Sequence, residues 1–259
     1  MNRKARVTLF VISALAFFGL FVATIREMPS FGHYRGPYGY VLNEETVPER
    51  HVTDVVTAIN FDWRGIDTLG EESILFLAVM GTMILLRQQK SEPEQAQKHE
   101  DPEHDESRRR SVPAPSEATQ VATLGLVGPL VAFGLYIVTH GQLTPGGGFQ
   151  GGVILATAPL LVYLAGDLKT FKRIANHEFV QIAEALGLGG FLLVGLPGLA
   201  LGGSYLRNVL PLGSTGNLFS GGLIPVINVC TGAAVAAGLV SVTYSFLEHT
   251  LEARLRRQR

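Results

Sequence analysis

Charged side chains are scarce in this sequence and unevenly spread. They make up 17% of the 259 residues, against 47% for hydrophobic ones, and the chain contains long stretches without a single charge. A soluble domain carries more charge and fewer apolar residues. The formal net charge is −1 and no basic face with interleaved aromatic residues is present, so the sequence does not predict nucleic-acid binding.

Cysteine is nearly absent. The single one, Cys230, lies in an apolar run, which excludes a disulfide or a cysteine-based metal site within the chain and predicts a packing role. The motifs of a catalytic triad, a HExxH zinc site and a haem site are also missing, and the few polar residues do not converge on a nucleophile, a base and an oxyanion site. The sequence therefore predicts a protein that is not an enzyme and that has no cofactor or metal site.

Long apolar segments are abundant instead, and six of them fit transmembrane helices. They predict an all-α integral membrane protein with two spans before a polar stretch and four after it. The second segment has only about 14 residues and spans only if the turn from Thr68 also enters the membrane. Thirty glycines favour membrane helices that approach one another closely. The segments are Val7 to Ile25, Ser73 to Leu86, Ala118 to Thr139, Phe149 to Gly166, Ile182 to Leu201 and Gly222 to Phe246.

Lysine and arginine cluster before the first segment and after the second, fourth and sixth. By the positive-inside rule, this pattern predicts that both termini are cytoplasmic. Residues 88–117 are polar, rich in proline and unable to bury a core, which predicts a disordered cytoplasmic linker. We therefore divide the chain into a two-helix module (1–87), the linker (88–117), a four-helix module (118–250) and a basic cytoplasmic tail (251–259).

Two adjacent carboxylates follow an aspartate in the string FDWRGIDTLGEES, residues 61–73. Thr68 and Glu71 match a capping box, and Asp67 and Glu72 would complement the positive end of the helix. The same groups would sit at the edge of the bilayer, where burial favours the neutral form of a carboxyl group and allows proton exchange. The two interpretations are compatible, and both stay open. We take Asp67, Glu71 and Glu72 as ion-handling candidates.

Two further polar residues lie in or beside the apolar segments. Glu184, near the start of the fifth segment, either takes part in ion transport or sits at the cytoplasmic headgroup level. His140 ends the third segment, where it is either a proton relay or an ordinary interfacial histidine. Both are kept as ion-handling candidates.

A glycine-rich loop, THGQLTPGGGFQGG, joins the third and fourth segments. It lacks the Gly-Lys-Ser/Thr ending of a phosphate-binding loop, so it does not predict nucleotide binding. Irregular backbone at membrane depth must be buried by protein or line a watery cavity, and the loop therefore predicts a surface for a partner protein. The residues assigned to this interface are Thr144, Pro145, Gly146, Gly147, Gly148, Phe149, Gln150, Gly151 and Gly152.

Valine and isoleucine recur at helical spacing between residues 52 and 59, which predicts a short amphipathic helix on the outer side. Its polar face, with Glu49, Arg50 and Asp54, is acidic rather than basic. This charge favours packing against a partner over lying on lipid headgroups.

Two stretches of the chain resemble known families. The strings THGQLTPGGGFQGGVILA and LPLGSTGNLFSGGLIPVINVCTGAAVAAGL, within residues 118–250, resemble the MnhB family, one of the subunit types of the Mrp (also Mnh or Pha) cation/proton antiporters. Residues 51–87 resemble the E-subunit domain of membrane-bound hydrogenases, which also forms the C-terminal end of the largest Mrp subunit. The whole chain therefore resembles a fusion of that tail with an MnhB protein.

The resemblance implies a subunit of a multi-subunit complex in a prokaryotic cytoplasmic membrane that exchanges Na⁺, or sometimes K⁺, for external protons. It implies other antiporter subunits as obligate partners, and a membrane subunit of an ion-translocating hydrogenase or related complex is the alternative. Glu71 matches the family's acidic residue after the Asp-Thr-Leu-Gly string, and Pro145 to Phe149 match its loop. Many relatives carry a charged residue in the last helix near Ala234, and its absence here weakens an ion-conducting role for that helix.

Overall fold

The computed structural model describes residues 3–28, 36–86, 115–166 and 168–257, and within these ranges all regular structure is helical. The chain divides into two units, Met1–Val41 and Leu42–Arg259. The first contains α1 (Arg3–Glu27), and α2 (Pro37–Arg50) begins in the first unit and ends in the second. The second unit continues with α3 (Val55–Ala58), a π-helical segment (Ile59–Trp63), α4 (Gly65–Leu86), α5 (Glu117–Thr139), α6 (Gly148–Ala165), α7 (Leu168–Ile174), α8 (His177–Val194), α9 (Leu196–Ala200) and α10 (Ile224–Arg257).

Six helical stretches among the described residues are long and apolar enough to cross a membrane, which confirms the all-α, six-span prediction. They are α1, α4, α5, α6, the pair α8–α9 and α10. The side of the membrane on which the termini lie stays a prediction. The predicted linker falls largely outside the described residues, and α10 remains helical through most of the predicted basic tail.

The second span begins earlier than its apolar run suggested. Helix α4 starts at Gly65 and has 22 residues, so the turn from Thr68 is part of the helix, as the prediction required, and the whole helix is long enough to cross a bilayer. The predicted capping box is wrong, because Thr68 already lies inside the helix. Its hydroxyl donates a hydrogen bond of 2.7 Å to the carbonyl oxygen of Asn60 in the π-helical segment.

The predicted amphipathic helix is also interrupted. His51 has a φ of 56°, and the chain leaves helical geometry between α2 and α3. Asp54 caps α3 instead of lying on a helix face, since its carboxylate accepts a hydrogen bond from the backbone N–H of Val56. Competition from this capping bond explains why the helical spacing of the apolar residues did not produce one continuous helix.

Helix α10 is the central element of the second unit. It packs against α4, α6 and α8, and 56% of its most apolar window is buried, more than in any other span. Glycines on the neighbouring helices allow the contact: a Cβ at Gly187 would lie 2.5 Å from the backbone nitrogen of Ala234, and one at Gly152 would lie 2.8 Å from the carbonyl oxygen of Gly232. The expected small-residue packing is therefore present along this helix.

Two apolar clusters lie at different heights along α10. The Phe191 cluster lies towards the start of α10, and the Phe171 cluster lies further along it. The first consists of Val52, Ala58, Phe61, Leu69, Phe191, Leu206, Leu223, Ile224 and Ile227. The second consists of Ala156, Phe171, Ala175, Val180, Ala237 and Val240.

Candidate functional site

Two glutamate side chains from different helices line one small cavity inside the second unit. Glu72 comes from α4 and Glu184 from α8, and Ala234 of α10 also lines the cavity. Its volume of about 10 Å³ is at the lower limit for holding one water molecule. The remaining lining residues are Leu75, Phe76 and Leu188.

Both glutamates are almost fully buried: Glu72 is 2% exposed and Glu184 is 6% exposed. In the part of the chain that the structure describes, neither carboxylate oxygen of Glu72 has a hydrogen-bond partner, and Oε1 of Glu184 has none either. The other oxygen of Glu184 accepts a hydrogen bond of 3.3 Å from the Ser241 hydroxyl of α10. A buried carboxyl group with so few partners is costly to keep, which is the usual mark of a functional site in a membrane protein.

The position of the pair follows from the helices that carry it. Leu69, one turn before Glu72, belongs to the Phe191 cluster, and Val180, one turn before Glu184, belongs to the Phe171 cluster. On α10, Ala234 lies between Ile227 of the first cluster and Ala237 of the second. The carboxyl groups are therefore surrounded by apolar residues, with Glu184 reaching Ser241 at the height of the second cluster, and in such surroundings the effective dielectric constant is low.

The structure brings together only two of the five ion-handling candidates. Glu71 is exposed on α4, and Asp67 is exposed and forms an ion pair with Arg64. His140 follows α5, where its ring stacks on Tyr136 with 4.2 Å between the ring centroids. None of these three lines the cavity, so their ion-handling roles stay predictions.

Sequence reasoning missed Ser241 and Gly238. Ser241 is seven residues after Ala234, a spacing that places both on one side of a helix and could have indicated a polar position facing the pair. A Cβ at Gly238 would lie 3.5 Å from Oε1 of Glu184 and 3.2 Å from Cγ2 of Val79. The tighter contact is with Val79, so glycine at this position mainly lets α4 approach α10 beside the carboxyl group.

The glycine-rich loop is held mainly by its own chain. The backbone N–H of Gly148 donates a hydrogen bond of 2.8 Å to Oδ1 of Asn228 on α10, and a Cβ at Gly148 would collide with the carbonyl oxygen of Asn228. Gly146 and Gly147 have φ angles of 150° and 126°, which L-residues rarely adopt. The carbonyl oxygen of Gln142 accepts bonds from two backbone N–H groups just before α3.

Only a small part of the glycine-rich loop is exposed on the surface of the chain. Pro145, Phe149 and Gln150 are exposed, whereas Gly147, Gly148, Gly151 and Gly152 are buried. The buried glycines are explained by packing within the chain. The predicted partner interface therefore narrows to the three exposed side chains, and it stays a prediction.

A second polar cluster joins α2, the π-helical segment and the loop before α10. The Nε of Arg50 lies 3.0 Å from Oδ1 of Asp62, and its guanidinium carbon lies 4.2 Å from the centre of the Trp63 ring. Asp62 also accepts a hydrogen bond of 2.9 Å from the side-chain amide of Asn208. Because these groups pair with one another, the cluster ties the segments together. It borders an open cavity of about 530 Å³.

Comparisons with known proteins identify the chain's relatives. Residues 118–241 match the family model described as a domain related to the MnhB subunit of Na⁺/H⁺ antiporter. An uncharacterised protein of Methanocaldococcus jannaschii is 32% identical over 214 residues, which are 78% of this chain and 80% of that protein. A Na⁺/H⁺ antiporter subunit of the B type, from Alkalihalophilus pseudofirmus, is 38% identical over 77 residues, or 30% of this chain. The chain spans only about half of that protein's length, 53%.

Two solved structures share the fold. A chain of the membrane-bound sulfane sulfur reductase, an archaeal respiratory membrane complex, superposes with a TM-score of 0.71 at 31% identity, covering 94% of this chain and 98% of that one. The Mrp complex of a Dietzia species superposes with a TM-score of 0.68 at 21% identity, covering 95% of this chain and 26% of that one. The relatives named as antiporter subunits are transport proteins rather than enzymes. This chain is a multi-pass protein of the prokaryotic plasma membrane, and its residues 118–241 form a domain related to the MnhB subunit of Na⁺/H⁺ antiporter.

Proposed function

We propose that this chain is a membrane subunit of a multi-subunit antiporter that exchanges a monovalent cation, Na⁺ or K⁺, for protons. The observation that carries the proposal is the buried Glu72–Glu184 pair in a chain that contains a domain related to an antiporter subunit. Carboxyl groups inside a membrane protein are typical of ion pathways and proton relays. Burying an ionisable side chain in the membrane destabilises the protein, so such a residue indicates a function. The chain contributes to assembly and to the ion path.

Exposed groups on the spans support obligate partner proteins. Glu71 lies on the transmembrane helix α4 and is exposed in the isolated chain. A carboxylate facing hydrocarbon is costly, whereas a neighbouring protein can supply a polar partner. Phe149, 43% exposed beside the glycine-rich loop, offers an apolar anchor for the same kind of contact. We assign both to interfaces with other antiporter subunits, and lipid covers the remaining apolar surface.

The domain arrangement is part of the proposal. Residues 1–87 form a module like the hydrogenase E-subunit domain, and residues 118–250 form the MnhB-like module. The linker (88–117) and the basic tail (251–259) lie on the cytoplasmic side, together with both termini. The distribution of lysine and arginine supports this orientation.

The test is cation-dependent proton flux in membrane vesicles that contain the whole complex. Vesicles lacking this chain should lose proton release on addition of Na⁺ or K⁺, and the wild-type chain should restore it. Replacing Glu184 by Gln should reduce the flux, whereas Glu178→Gln, an exposed position in the first turn of the same helix, should not. Unchanged flux in vesicles without the chain would refute the proposal.

A second candidate function rests on the archaeal respiratory complex. Similarity over 98% of that chain supports a role in a complex that couples ion translocation to electron transfer, of the sulfane sulfur reductase or hydrogenase type. Purification of the native complex in mild detergent separates the two possibilities. Co-purifying redox subunits favour the respiratory role, and a set of antiporter subunits alone favours cation/proton exchange.

A further inference from the structure

We infer that Glu72 and Glu184 form one proton-exchange site, in which the two carboxyl groups share a single proton across the cavity between α4 and α8. The inference rests on the proposed function and names the ion that this pair handles, which is H⁺ rather than a metal cation. Neither residue corresponds to the acidic position that the family resemblance singled out, Glu71.

The first step is the common cavity. The two side chains come from different helices, yet they line the same small cavity, and both are more than nine-tenths buried. Glu72 has two oxygens without a hydrogen-bond partner among the described residues, and Glu184 has one. Polar atoms left in this way require either a proton or an internal water molecule.

No basic side chain of the described residues lines the cavity. The basic side chains whose ion pairs the structure shows lie elsewhere, as with Arg50 on Asp62 and Lys172 on Glu248. Among the described residues, the other titratable side chains of α4, α8 and α10 do not line the cavity; they are Asp67, Glu71, His177, Glu178, Cys230, Tyr244, Glu248 and His249. Two ionised carboxylates that line one cavity in apolar surroundings would repel each other. One shared proton removes the repulsion and supplies the missing donor.

The lining and the size of the cavity suit a proton and not a metal cation. A hard cation needs a shell of oxygen ligands, commonly about six. Apart from the carboxyl groups, the described residues that line the cavity have aliphatic, aromatic and methyl side chains; they are Leu75, Phe76, Leu188 and Ala234. A volume of about 10 Å³ leaves no space for a hydrated ion. A proton needs no such shell.

The hydrogen bonds indicate which of the two carboxyl groups carries the proton. Ser241 donates its hydroxyl hydrogen to Oε2 of Glu184, a bond that favours the ionised form of this carboxylate. Glu72 receives no such bond, so the proton rests on Glu72 and the negative charge on Glu184. Exchange breaks the O–H bond of Glu72 and forms one on Glu184 across the cavity, and the negative charge moves the opposite way.

The experiment uses the purified whole complex and its vesicles, with Glu72→Gln, Glu184→Gln and the double variant. Infrared difference spectra in H₂O and D₂O report protonated carboxylic acids through their carbonyl stretch. We expect one such band to disappear in Glu72→Gln. We also expect the flux of each single variant to fall to the level of the double variant, because one shared site is lost in all three. Glu178→Gln is the matched control.

The outcomes separate the inference from the proposed function. Three results would overturn the shared-proton site. The carbonyl band could be missing from a complex that transports, or Na⁺ could remove the band at constant pH. The double variant could also lose more flux than either single variant. Absence of flux in the wild-type complex, with the band present and lost in Glu72→Gln, would overturn the antiport function alone. If the glutamine variants do not assemble, Ser241→Ala keeps both carboxyl groups and should still shift the band, and an unchanged band would refute the inference.

Discussion

At the residue scale, neighbouring side chains with the same chemistry have different surroundings. Glu71 and Glu72 are adjacent carboxylates, yet the first is exposed and the second is 2% exposed. A helix turns by about 100° per residue, so consecutive residues face different neighbours. The resemblance pointed to Glu71, whereas burial points to Glu72. The two roles are compatible, with Glu71 facing another protein of the complex and Glu72 inside the chain.

Asn228 provides a test at this scale, because its side chain holds the start of α6. In Asn228→Ala the buried N–H of Gly148 loses its hydrogen-bond acceptor, and we expect a loss of about 1–3 kcal/mol in stability. The measurement is the thermal unfolding of the purified complex. Asn217→Ala, at an exposed position of the loop before α10, is the control. Equal melting temperatures for the two variants would show that the bond contributes nothing.

At the element scale, α10 is the helix against which α4, α6 and α8 pack, and glycines on these helices allow the close approach. Its end is also tied to α7, where Nζ of Lys172 donates a hydrogen bond of 2.9 Å to Glu248. This bond raises the pKa of the Lys172 ammonium group above its usual value. The pair therefore persists through neutral pH and is lost on the alkaline side as the pH rises through that raised pKa.

Two glycine substitutions test the role of close approach. In Gly148→Ala the new methyl group would collide with the carbonyl oxygen of Asn228, so α6 must move away from α10. We expect destabilisation of about 1–3 kcal/mol or more and a reduced yield of assembled complex. Gly189→Ala meets nothing within 4 Å and should be neutral or stabilising by about 0.5–1 kcal/mol. A tolerated Gly148→Ala variant would contradict the packing argument.

At the scale of the whole molecule, the distribution of charge predicts which side of the membrane each loop faces. The basic residues predict that the segment between the fourth and fifth spans is cytoplasmic and that the loop before α10 is external. Thr170 and Ser214 are exposed positions in these two segments. Both are therefore suitable for labelling from one side of the membrane.

Cysteine labelling tests this orientation in a Cys230→Ala background, which has no other thiol. A membrane-impermeant reagent should label Ser214→Cys in intact cells and should label Thr170→Cys only after permeabilisation. The opposite pattern would reverse the topology and place both termini outside. Labelling of both positions in intact cells would instead show that the segment between them does not cross the membrane an odd number of times.

The sequence alone was enough to predict the spans, the helical class and the family, because length and apolarity specify a membrane helix locally and TPGGGFQGG is a specific string. It could not predict that α4 begins at Gly65, because the hydrogen bond of Thr68 to Asn60 depends on the π-helical segment before it. Nor could it pair Glu72 with Glu184 or explain the buried glycines. These features depend on how α4, α6 and α8 are rotated against α10, and that rotation is set by packing between residues far apart in the chain.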